Sequence, residues 1–436
     1  MILENSQQRI MEKPALNNSL MVLVLSTENM LRAWQQVKSN KGSPGIDGIT
    51  VERFLKSVGS KWPKIKHALI QGYYVPKPVK RVEIPKKSGG TRMLGIPTVL
   101  DRVIQQAIAQ VLTQVFDPGF SEASFGYRPR RSAHGAIKRV HGYVKSGYKW
   151  SVDMDLSKFF DTVDHDILMH LVSRKVRDKT VLRLIGRYLR AGSIDRTGKF
   201  NPSHIGTPQG GPLSSLLSNI LLHELDRELE RRNLSFARYA DDFVILTKSQ
   251  EEGETVMKEI TVFLDRRLHL KVNETKSKVV PIQECKFLGF TFRAKKISWT
   301  KEAFEEFCTE VKKLTGRSWG VSMAHRLEQL RFYVGGWMNY FGISQFYSPI
   351  QGMDDWVRRR IRMCYWKQWR YIRTRVQKLL KLGVPERFAL MAGSSGKSYW
   401  RSSKTYAINA GMSNAWLEKQ GVPNVKALWC KAQGYS

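Results

Sequence analysis

The sequence contains few cysteines and no long apolar run. Its four cysteines, Cys285, Cys308, Cys364 and Cys430, lie far apart and form no C-x-x-C pair, so neither a zinc site nor a disulfide framework is expected. No stretch approaches the 18 or more apolar residues of a membrane-spanning helix. The short apolar segment 20–25 is typical of a buried helix. We therefore expect a cytoplasmic protein with no membrane partner.

Acidic residues are scarce. The chain has 38 Asp and Glu residues against 72 Lys and Arg residues, a formal net charge of +34. No acid occurs from Trp356 to Pro385, an interval that holds ten Lys or Arg residues. Such an excess of one charge repels itself in a compact protein unless a polyanion is the working partner. The composition therefore predicts nucleic acid as the partner.

The few acids that are present include two groups with informative positions. Asp241 and Asp242 lie between two apolar segments and are expected at a turn between strands, although Asp is common in turns in any case. The segment 149–156 alternates apolar and polar residues, the pattern of a half-buried strand. On that strand Asp153 and Asp155 share the polar face.

Carboxylates gathered at one place need a cation. Two unit charges about 4 Å apart repel by roughly 4 kcal/mol at an effective dielectric near 20. Mg²⁺ prefers hard oxygen ligands, and two such ions can hold the attacking and leaving oxygens of an in-line displacement at phosphorus. We therefore predict that Asp155, Asp241 and Asp242 are catalytic metal ligands for two Mg²⁺ ions in phosphoryl or nucleotidyl transfer.

Around these acids the sequence contains a series of distinctive blocks: GIDGIT at 45–50, IPKKSGGTR with LGIP at 84–97, FGYRP at 125–129, DLSKFFD at 155–161, TPQGGPLS at 207–214, YADD at 239–242, LKVNETK at 270–276 and FLGF at 287–290. In content and in order these blocks resemble those of the reverse transcriptases encoded by bacterial group II introns, along nearly the whole length of the chain. The resemblance implies an α+β right-hand polymerase, with fingers and an antiparallel-sheet palm followed by a helical thumb and a small basic module.

The resemblance also implies a division into domains. We expect an N-terminal extension and fingers at 1–148, a palm at 149–298 with fingers and palm helices at 163–225, a thumb or maturase domain at 299–375, and a DNA-binding domain at 376–436.

Beyond residue 300 the chain is expected to be helical. Apolar residues spaced by three and four from Leu327 to Phe341 predict one helix face. Gly335 and Gly336 interrupt that helix, for which packing against a neighbouring helix is the favoured explanation and contact with nucleic acid the alternative. Asp354 and Asp355 are expected to cap the next helix.

Five residues are expected, by resemblance, to contact the incoming nucleotide. Lys86 and Arg92 flank a glycine turn and would bind the triphosphate, with Arg suited to bidentate contact. Phe160 would crowd a ribose 2′-OH and so select deoxynucleotides. Gln209 would touch the nascent base pair, and Lys276 would assist the departing pyrophosphate. A solvated hairpin, a core aromatic and a loop-to-helix junction are the plain structural alternatives.

Another set of residues is expected to contact nucleic acid. The long basic run, studded with aromatic residues, is interpreted as a phosphate track with stacking platforms. The predicted contacts are Gly210, Tyr239, Arg358, Arg359, Arg362, Lys367, Trp369, Arg370, Lys397, Arg401 and Lys404.

The resemblance implies a function with two parts. The protein would extend a DNA primer on intron RNA with dNTPs, and it would bind that RNA as a maturase that promotes splicing and retrohoming into a DNA target. The sequence has no cysteine-pair endonuclease signature and in this respect resembles the endonuclease-free class C type. The resemblance also implies a ribonucleoprotein that is associated with the nucleoid in the bacterial cytoplasm. A bacterial reverse transcriptase of defence or diversity-generating type, and a splicing cofactor without polymerase activity, stay open as alternatives, as do monomer and homodimer.

Overall fold

The computed structural model describes residues 20–85 and 89–435, which form two compact units. The first unit extends to Val140 and resumes at Tyr148–Val280, and the second contains His141–Gly147 and the chain from Pro281 onward. The predicted domain boundaries at 148, 298 and 375 stay predictions.

The first unit mixes helices with two four-stranded sheets. Its helices are α1 Leu20–Val24, α2 Thr27–Ser39, α3 Phe54–Val58, α4 Trp62–Ile70, α5 Val99–Phe116, α6 Ala133–Lys145 (which ends in the second unit), α7 Phe159–Thr162, α8 His165–Ser173, α9 Lys179–Arg190, α10 Pro212–Arg231 and α11 Gln250–Leu268. Its strands are β1 Val79–Pro85, β2 Thr91–Ile96, β3 Trp150–Met154, β4 Ser193–Ile194, β5 Phe200–Asn201, β6 Ser235–Tyr239, β7 Asp242–Thr247 and β8 Lys278–Pro281.

The sheet that carries the aspartates has the strand order β6-β7-β3-β8. Strand β7 pairs antiparallel with both β6 and β3. Val152 and Met154 of β3 are buried, whereas Asp153 between them is half-buried. The apolar face of this strand is thus covered by the core, and the opposite face bears the acid.

The second sheet has the order β2-β1-β4-β5. Strands β1 and β2 form an antiparallel hairpin whose register runs from Lys80 opposite Ile96 to Pro85 opposite Thr91. Helix α5 follows directly, and its first turn is capped by the Thr98 hydroxyl, which accepts a hydrogen bond from the backbone N–H of Asp101. This order places the hairpin at the start of the main buried helix.

The second unit is helical apart from one hairpin. Its elements are strands β9 Phe290–Arg293 and β10 Lys296–Trp299 and helices α12 Lys301–Leu314, α13 Met323–Phe341, α14 Ser348–Gln368, α15 Ile372–Lys381, α16 Glu386–Gly393, α17 Tyr399–Ser402, α18 Tyr406–Gly411, α19 Asn414–Lys419 and α20 Val425–Gln433. One hydrophobic core joins Phe307, Trp366 and Trp429. Residues from both the predicted thumb and the predicted C-terminal domain therefore share this core.

Two local predictions in this unit are wrong. Helix α13 continues through Gly335 and Gly336, but a Cβ atom at either position would meet nothing within 4 Å, so close packing of a protein neighbour does not explain the glycines. Asp354 and Asp355 do not cap α14, because that helix already begins at Ser348; Asp354 instead accepts a 2.8 Å hydrogen bond from the backbone N–H of Val425, the first residue of α20.

Among the described helices, none combines the length and the apolar character needed to cross a membrane.

Candidate active site

The predicted catalytic aspartates lie at the end of the β3–β7–β6 sheet. Tyr239 pairs with Asp242 across the β6–β7 hairpin, so Asp241 lies in its two-residue turn. Met154 pairs with Phe243 in the β3–β7 ladder, and extending that antiparallel register by one residue places Asp155 opposite Asp242. Directly opposed residues have Cβ atoms about 4.5–5.5 Å apart. Two acids 87 positions apart in the sequence therefore become neighbours.

Burial, together with charge repulsion, raises the pKa of two acids at this sheet end. Burial, reinforced by the charges of Asp153, Asp241 and Asp155, raises the pKa of Asp242 to about 7. Part of the Asp242 side chain is exposed, so the cause is the surrounding protein mass and the neighbouring charges rather than complete enclosure. Burial also raises the pKa of Asp153 to about 6, with Asp155 adding to the rise and Lys278 opposing it. Asp153 is thus a fourth carboxylate of this group, to which the sequence alone assigned no role.

The loop between α11 and β8 holds Asp155. The backbone N–H of Asp155 donates to the Ser277 hydroxyl over 3.0 Å, and the Asn273 amide donates to the Asp155 carboxylate over 3.2 Å. The Lys276 ammonium lies 3.6 Å from the same carboxylate oxygen. The structure therefore places Lys276 beside a predicted metal ligand, on an exposed loop.

A buried ion pair lies beneath the YADD turn. The Arg238 and Asp226 side chains are fully buried, and the guanidinium donates to the two carboxylate oxygens over 2.7 and 2.5 Å. It also donates to the Ala240 carbonyl and to the Asn219 side-chain oxygen, both over 2.9 Å. Ala240 has a left-handed backbone with φ of 59°, which is costly for a non-glycine residue. Arg238 thus ties the strained turn residue to helix α10.

The FGYRP block lies against the same turn. A Cβ atom at Gly126 would collide with the backbone nitrogen of Ala240, and the Gly126 carbonyl accepts a 2.8 Å hydrogen bond from the Asn219 amide. Tyr127 is 55% exposed, and its pKa is raised by partial burial and by the nearby charge of Asp241. Neither residue was assigned a role from the sequence, although the block itself was recognised.

Some of the residues that are predicted to contact the nucleotide lie near one another in the structure. The Arg92 guanidinium donates to the Gln209 side-chain oxygen over 2.8 Å, and the backbone N–H of Gly95 donates to the Gln209 carbonyl over 2.9 Å. Phe160 and Gln209 line one cavity of about 360 Å³. Lys86 lies outside the described residues. The structure therefore brings together Arg92, Gln209 and Phe160.

Gly210 has a structural reason for being glycine. Its φ is +120°, and a Cβ atom there would lie 3.0 Å from the Gly95 carbonyl oxygen. The preceding Thr207 donates its backbone N–H to the Phe160 carbonyl over 2.7 Å. Backbone hydrogen bonds thus fix the TPQGG loop to strand β2 and to Phe160.

Two of the predicted nucleic-acid contacts, Arg358 and Arg362, require correction, and a third, Trp369, is buried but lines a cavity. Arg358, Arg362 and Trp369 are buried in the second unit, with 2%, 7% and 7% of their surface exposed. Arg358 donates to Asp354 over 2.6 Å and to Glu418 over 2.8 Å. Arg362 donates to the Met412 carbonyl, just after α18, and to the side-chain oxygen of Asn414, the first residue of α19. Because a buried guanidinium satisfied by protein acceptors is not free to bind phosphate, Arg358 and Arg362 stabilise the fold instead.

The other basic residues that are predicted to contact nucleic acid differ in how far their side chains are held by the rest of the protein. Arg359 stacks 3.6 Å from the centroid of the Trp400 ring, and Lys367 donates to the Arg317 carbonyl over 2.8 Å. The exposed basic members of the predicted set are Arg370, Lys397, Arg401 and Lys404.

The first unit has the arrangement of a right-hand polymerase palm, with carboxylates at the end of an antiparallel sheet and a basic hairpin preceding it. The sequence profile of the reverse transcriptase (RNA-dependent DNA polymerase) family matches residues 84–292, and that of the group II intron, maturase-specific domain matches residues 304–383. The chain belongs to the group II intron-encoded reverse transcriptase family.

Relatives and a solved structure show similarity over parts of the chain. Protein YkfC of Escherichia coli (strain K12) is 31% identical over 67% of this chain and 87% of its own length. Group II intron-encoded protein LtrA of Lactococcus lactis subsp. cremoris is 31% identical over 69% of this chain and 60% of its own length. A chain of a partial Cas6-RT-Cas1–Cas2 complex is 25% identical, with a TM-score of 0.37, over 57% of this chain and 42% of that chain.

Proposed function

We propose that this protein copies RNA into DNA, with Asp155, Asp241 and Asp242 holding two Mg²⁺ ions. The observation that carries the proposal is the β3–β7 register, which sets Asp155 across from Asp242 while Asp241 lies in the adjoining turn. When bound, the ions activate the primer 3′-OH and stabilise the departing pyrophosphate.

The donor set fits Mg²⁺. The group consists of carboxylates, which are hard oxygen ligands, and their mutual repulsion contributes to the raised pKa of Asp242. Within residues 20–85 and 89–435, no group of three or more His, Cys, Asp or Glu side chains is arranged to hold a metal ion by itself. Since Mg²⁺ usually takes one or two carboxylates together with water and substrate phosphates, the nucleotide would supply the remaining ligands.

The chain's own residues would then position the substrates. Arg92 and Lys86 would bind the triphosphate, and Gln209 would release its hydrogen bond from Arg92 to contact the nascent pair. Phe160, on the same cavity as Gln209, would exclude a ribose 2′-OH. Lys276, 3.6 Å from Asp155, would turn toward the pyrophosphate and neutralise its charge.

The second unit would act on RNA. Its match to the maturase-specific domain and its exposed basic residues support binding of the parent intron RNA, which would promote splicing, while target DNA and dNTPs serve the polymerase in retrohoming. A maturase role does not require the catalytic aspartates. An Asp241→Asn protein that still rescues splicing of the parent intron at low Mg²⁺ would show that the two functions are separable.

Primer extension tests the polymerase proposal. The full chain is mixed with an RNA template, an annealed DNA primer and dNTPs, with Mg²⁺ or with EDTA. We expect DNA synthesis that depends on Mg²⁺ and on the RNA template. A protein that binds the template–primer but adds no nucleotide would contradict the proposal and favour a splicing cofactor alone.

A further inference from the structure

A cavity of about 500 Å³ lies in the second unit between helices α14, α15 and α19. This volume is within the range of roughly 300–1,000 Å³ that is typical of ligand pockets. Its lining combines residues of the matched maturase-specific region with Trp416 and Gln420, which lie beyond that region. No role in the proposed polymerase chemistry has been assigned to it.

The wall of this cavity is aromatic. Tyr365 and Trp369 have ring centroids 6.2 Å apart, and Tyr365 and Trp416 have centroids 5.1 Å apart at an interplanar angle of 64°. Trp369 is held in place because Arg375 donates to its carbonyl over 2.9 Å and covers the ring of Trp366 at 4.9 Å. Tyr365 and Trp369 are only 8% and 7% exposed, whereas Trp416 is half-buried, so the three rings form a fixed corner in which Trp416 offers the most accessible ring to a planar ligand.

The rim of the cavity is polar and positively charged. Lys378 and Lys381 lie on α15, and Gln368 and Gln420 lie at the ends of α14 and α19. All four residues are exposed, and within the described part of the chain none of their side chains makes a hydrogen bond or an ion pair. Two amides can each donate and accept, which suits the edge of a nucleobase, and two ammonium groups suit phosphate.

We propose that this cavity binds one unpaired nucleobase of a nucleic acid strand, with the base against the aromatic corner and the flanking phosphates on the lysines. Charge favours a nucleic acid over a peptide as occupant, because no acid occurs between Trp356 and Pro385. A stacked base is recognised through its face and its edge, as in single-strand binding proteins. The inference rests on the proposed function in that it names a site for the RNA that the maturase unit would bind.

The test compares hairpins that differ by one bulged base. The full-length protein is titrated into an RNA hairpin with a single bulged 2-aminopurine and into the same hairpin fully paired. We expect the bulged hairpin to bind roughly fivefold or more tightly, since base–aromatic stacking contributes to affinity on that scale, and its fluorescence to fall as the base stacks.

The variants address the wall and the rim separately. Trp416→Leu, and independently Lys378→Gln combined with Lys381→Gln, should abolish the preference for the bulged hairpin. The matched control combines Lys397→Gln with Lys404→Gln, which also removes two exposed lysines of this unit but none from the cavity. It should weaken both hairpins alike and leave their ratio unchanged.

The outcomes separate this inference from the proposed function. A preference confined to RNA assigns the base to an RNA strand, and an equal preference with DNA hairpins admits target DNA as well; both support the site. Equal binding of bulged and paired hairpins by the wild-type protein overturns it and leaves the cavity to another class of ligand. Primer extension by the same preparation is measured in parallel, so that its failure contradicts the polymerase proposal and not the cavity.

Discussion

Arg238 is a buried residue that connects the YADD turn, where we propose that catalysis takes place, to helix α10. It holds the carbonyl of Ala240, a non-glycine residue in the left-handed region, and it is neutralised by Asp226 at full burial. Removing one partner of a buried pair typically costs about 3–5 kcal/mol, because the other charge is left unpaired.

We predict that Arg238→Met lowers the free energy of unfolding by about 3–5 kcal/mol and also lowers kcat for primer extension. Adding Asp226→Leu should restore most of the stability, because a buried pair replaced by apolar side chains is often neutral. It should not restore kcat, since the Ala240 carbonyl still lacks its donor. Chemical denaturation and single-nucleotide extension measure the two effects. Arg174→Leu, which breaks a partly exposed pair with Glu224, is the control and should change neither by much. If the double variant regains full kcat, Arg238 does not position the turn.

Phe160 offers a second test at this scale. It lines the cavity that also contains Gln209, whereas its neighbour Phe159 does not, and both are buried. We predict that Phe160→Val raises the ratio of ribonucleotide to deoxynucleotide incorporation, because the smaller side chain leaves room for a 2′-OH. Phe159→Val removes the same volume and should leave the ratio unchanged. An unaltered ratio in Phe160→Val, measured by competition between rNTPs and dNTPs, would argue against a steric role.

The convergence of Asp155, Asp241 and Asp242 at one sheet end could be predicted from the sequence, whereas the position of Arg238 could not. Asp155, Asp241 and Asp242 lie in a strand pattern and at a turn, so their convergence follows from the pairing of two strands. Arg238 is one of 72 basic residues, and its partners come from the FGYRP region and from the second turn onward of α10. Only the tertiary fold distinguishes it from a surface arginine.

At the scale of elements, the YADD hairpin and the segment 123–126 are packed backbone to backbone. The backbone N–H of Phe125 donates to the Arg238 carbonyl over 2.8 Å, and Gly126 leaves no space for a Cβ atom beside Ala240. We predict that Gly126→Ala displaces the turn and abolishes most primer extension. Gly142→Ala is the control, because that residue lies within α6 with nothing within 4 Å of a Cβ atom, and it should stabilise the helix by about 0.5–1 kcal/mol. Extension at the wild-type rate by Gly126→Ala would refute the close-packing argument.

Helix α14 shows why a charge run is ambiguous as a signal. From Trp356 onward its sequence is basic and aromatic, as expected of a phosphate track, yet Arg358 and Arg362 are directed to protein acceptors. The spacing of four residues between Asp354 and Arg358 was the available hint, because such pairs are neighbours on a helix.

We predict that Arg358→Leu and Arg401→Gln affect different properties. Arg358→Leu should lower the stability of the protein by about 3–5 kcal/mol, because Asp354 loses its buried partner. Arg401→Gln should leave stability nearly unchanged but should weaken RNA binding and reduce the slope of log affinity against log salt by about 1. Thermal unfolding and RNA titrations at several salt concentrations distinguish the two. A reversed pattern would mean that the exposed and buried arginines have been assigned the wrong roles.

For the whole molecule, the net charge of +34 and the two matched family regions indicate that nucleic acid is the partner. The fold class was predictable because the blocks of the sequence occur in the order of a right-hand polymerase. The extent of each unit could not be predicted, because a shared core such as that of Phe307, Trp366 and Trp429 has no signature in the local sequence. The aromatic cavity was equally hidden, because Trp416 joins Tyr365 only in the folded chain.

The measurement that tests the central claim most directly is single-nucleotide primer extension on RNA by Asp241→Asn beside Asp265→Asn. Both variants remove one carboxylate oxygen and one charge, but Asp265 is an exposed residue of helix α11. The account predicts that Asp241→Asn loses at least about 100-fold in rate at saturating Mg²⁺ while still binding the template–primer, and that Asp265→Asn extends like the wild type. Extension by Asp241→Asn at the wild-type rate would contradict it.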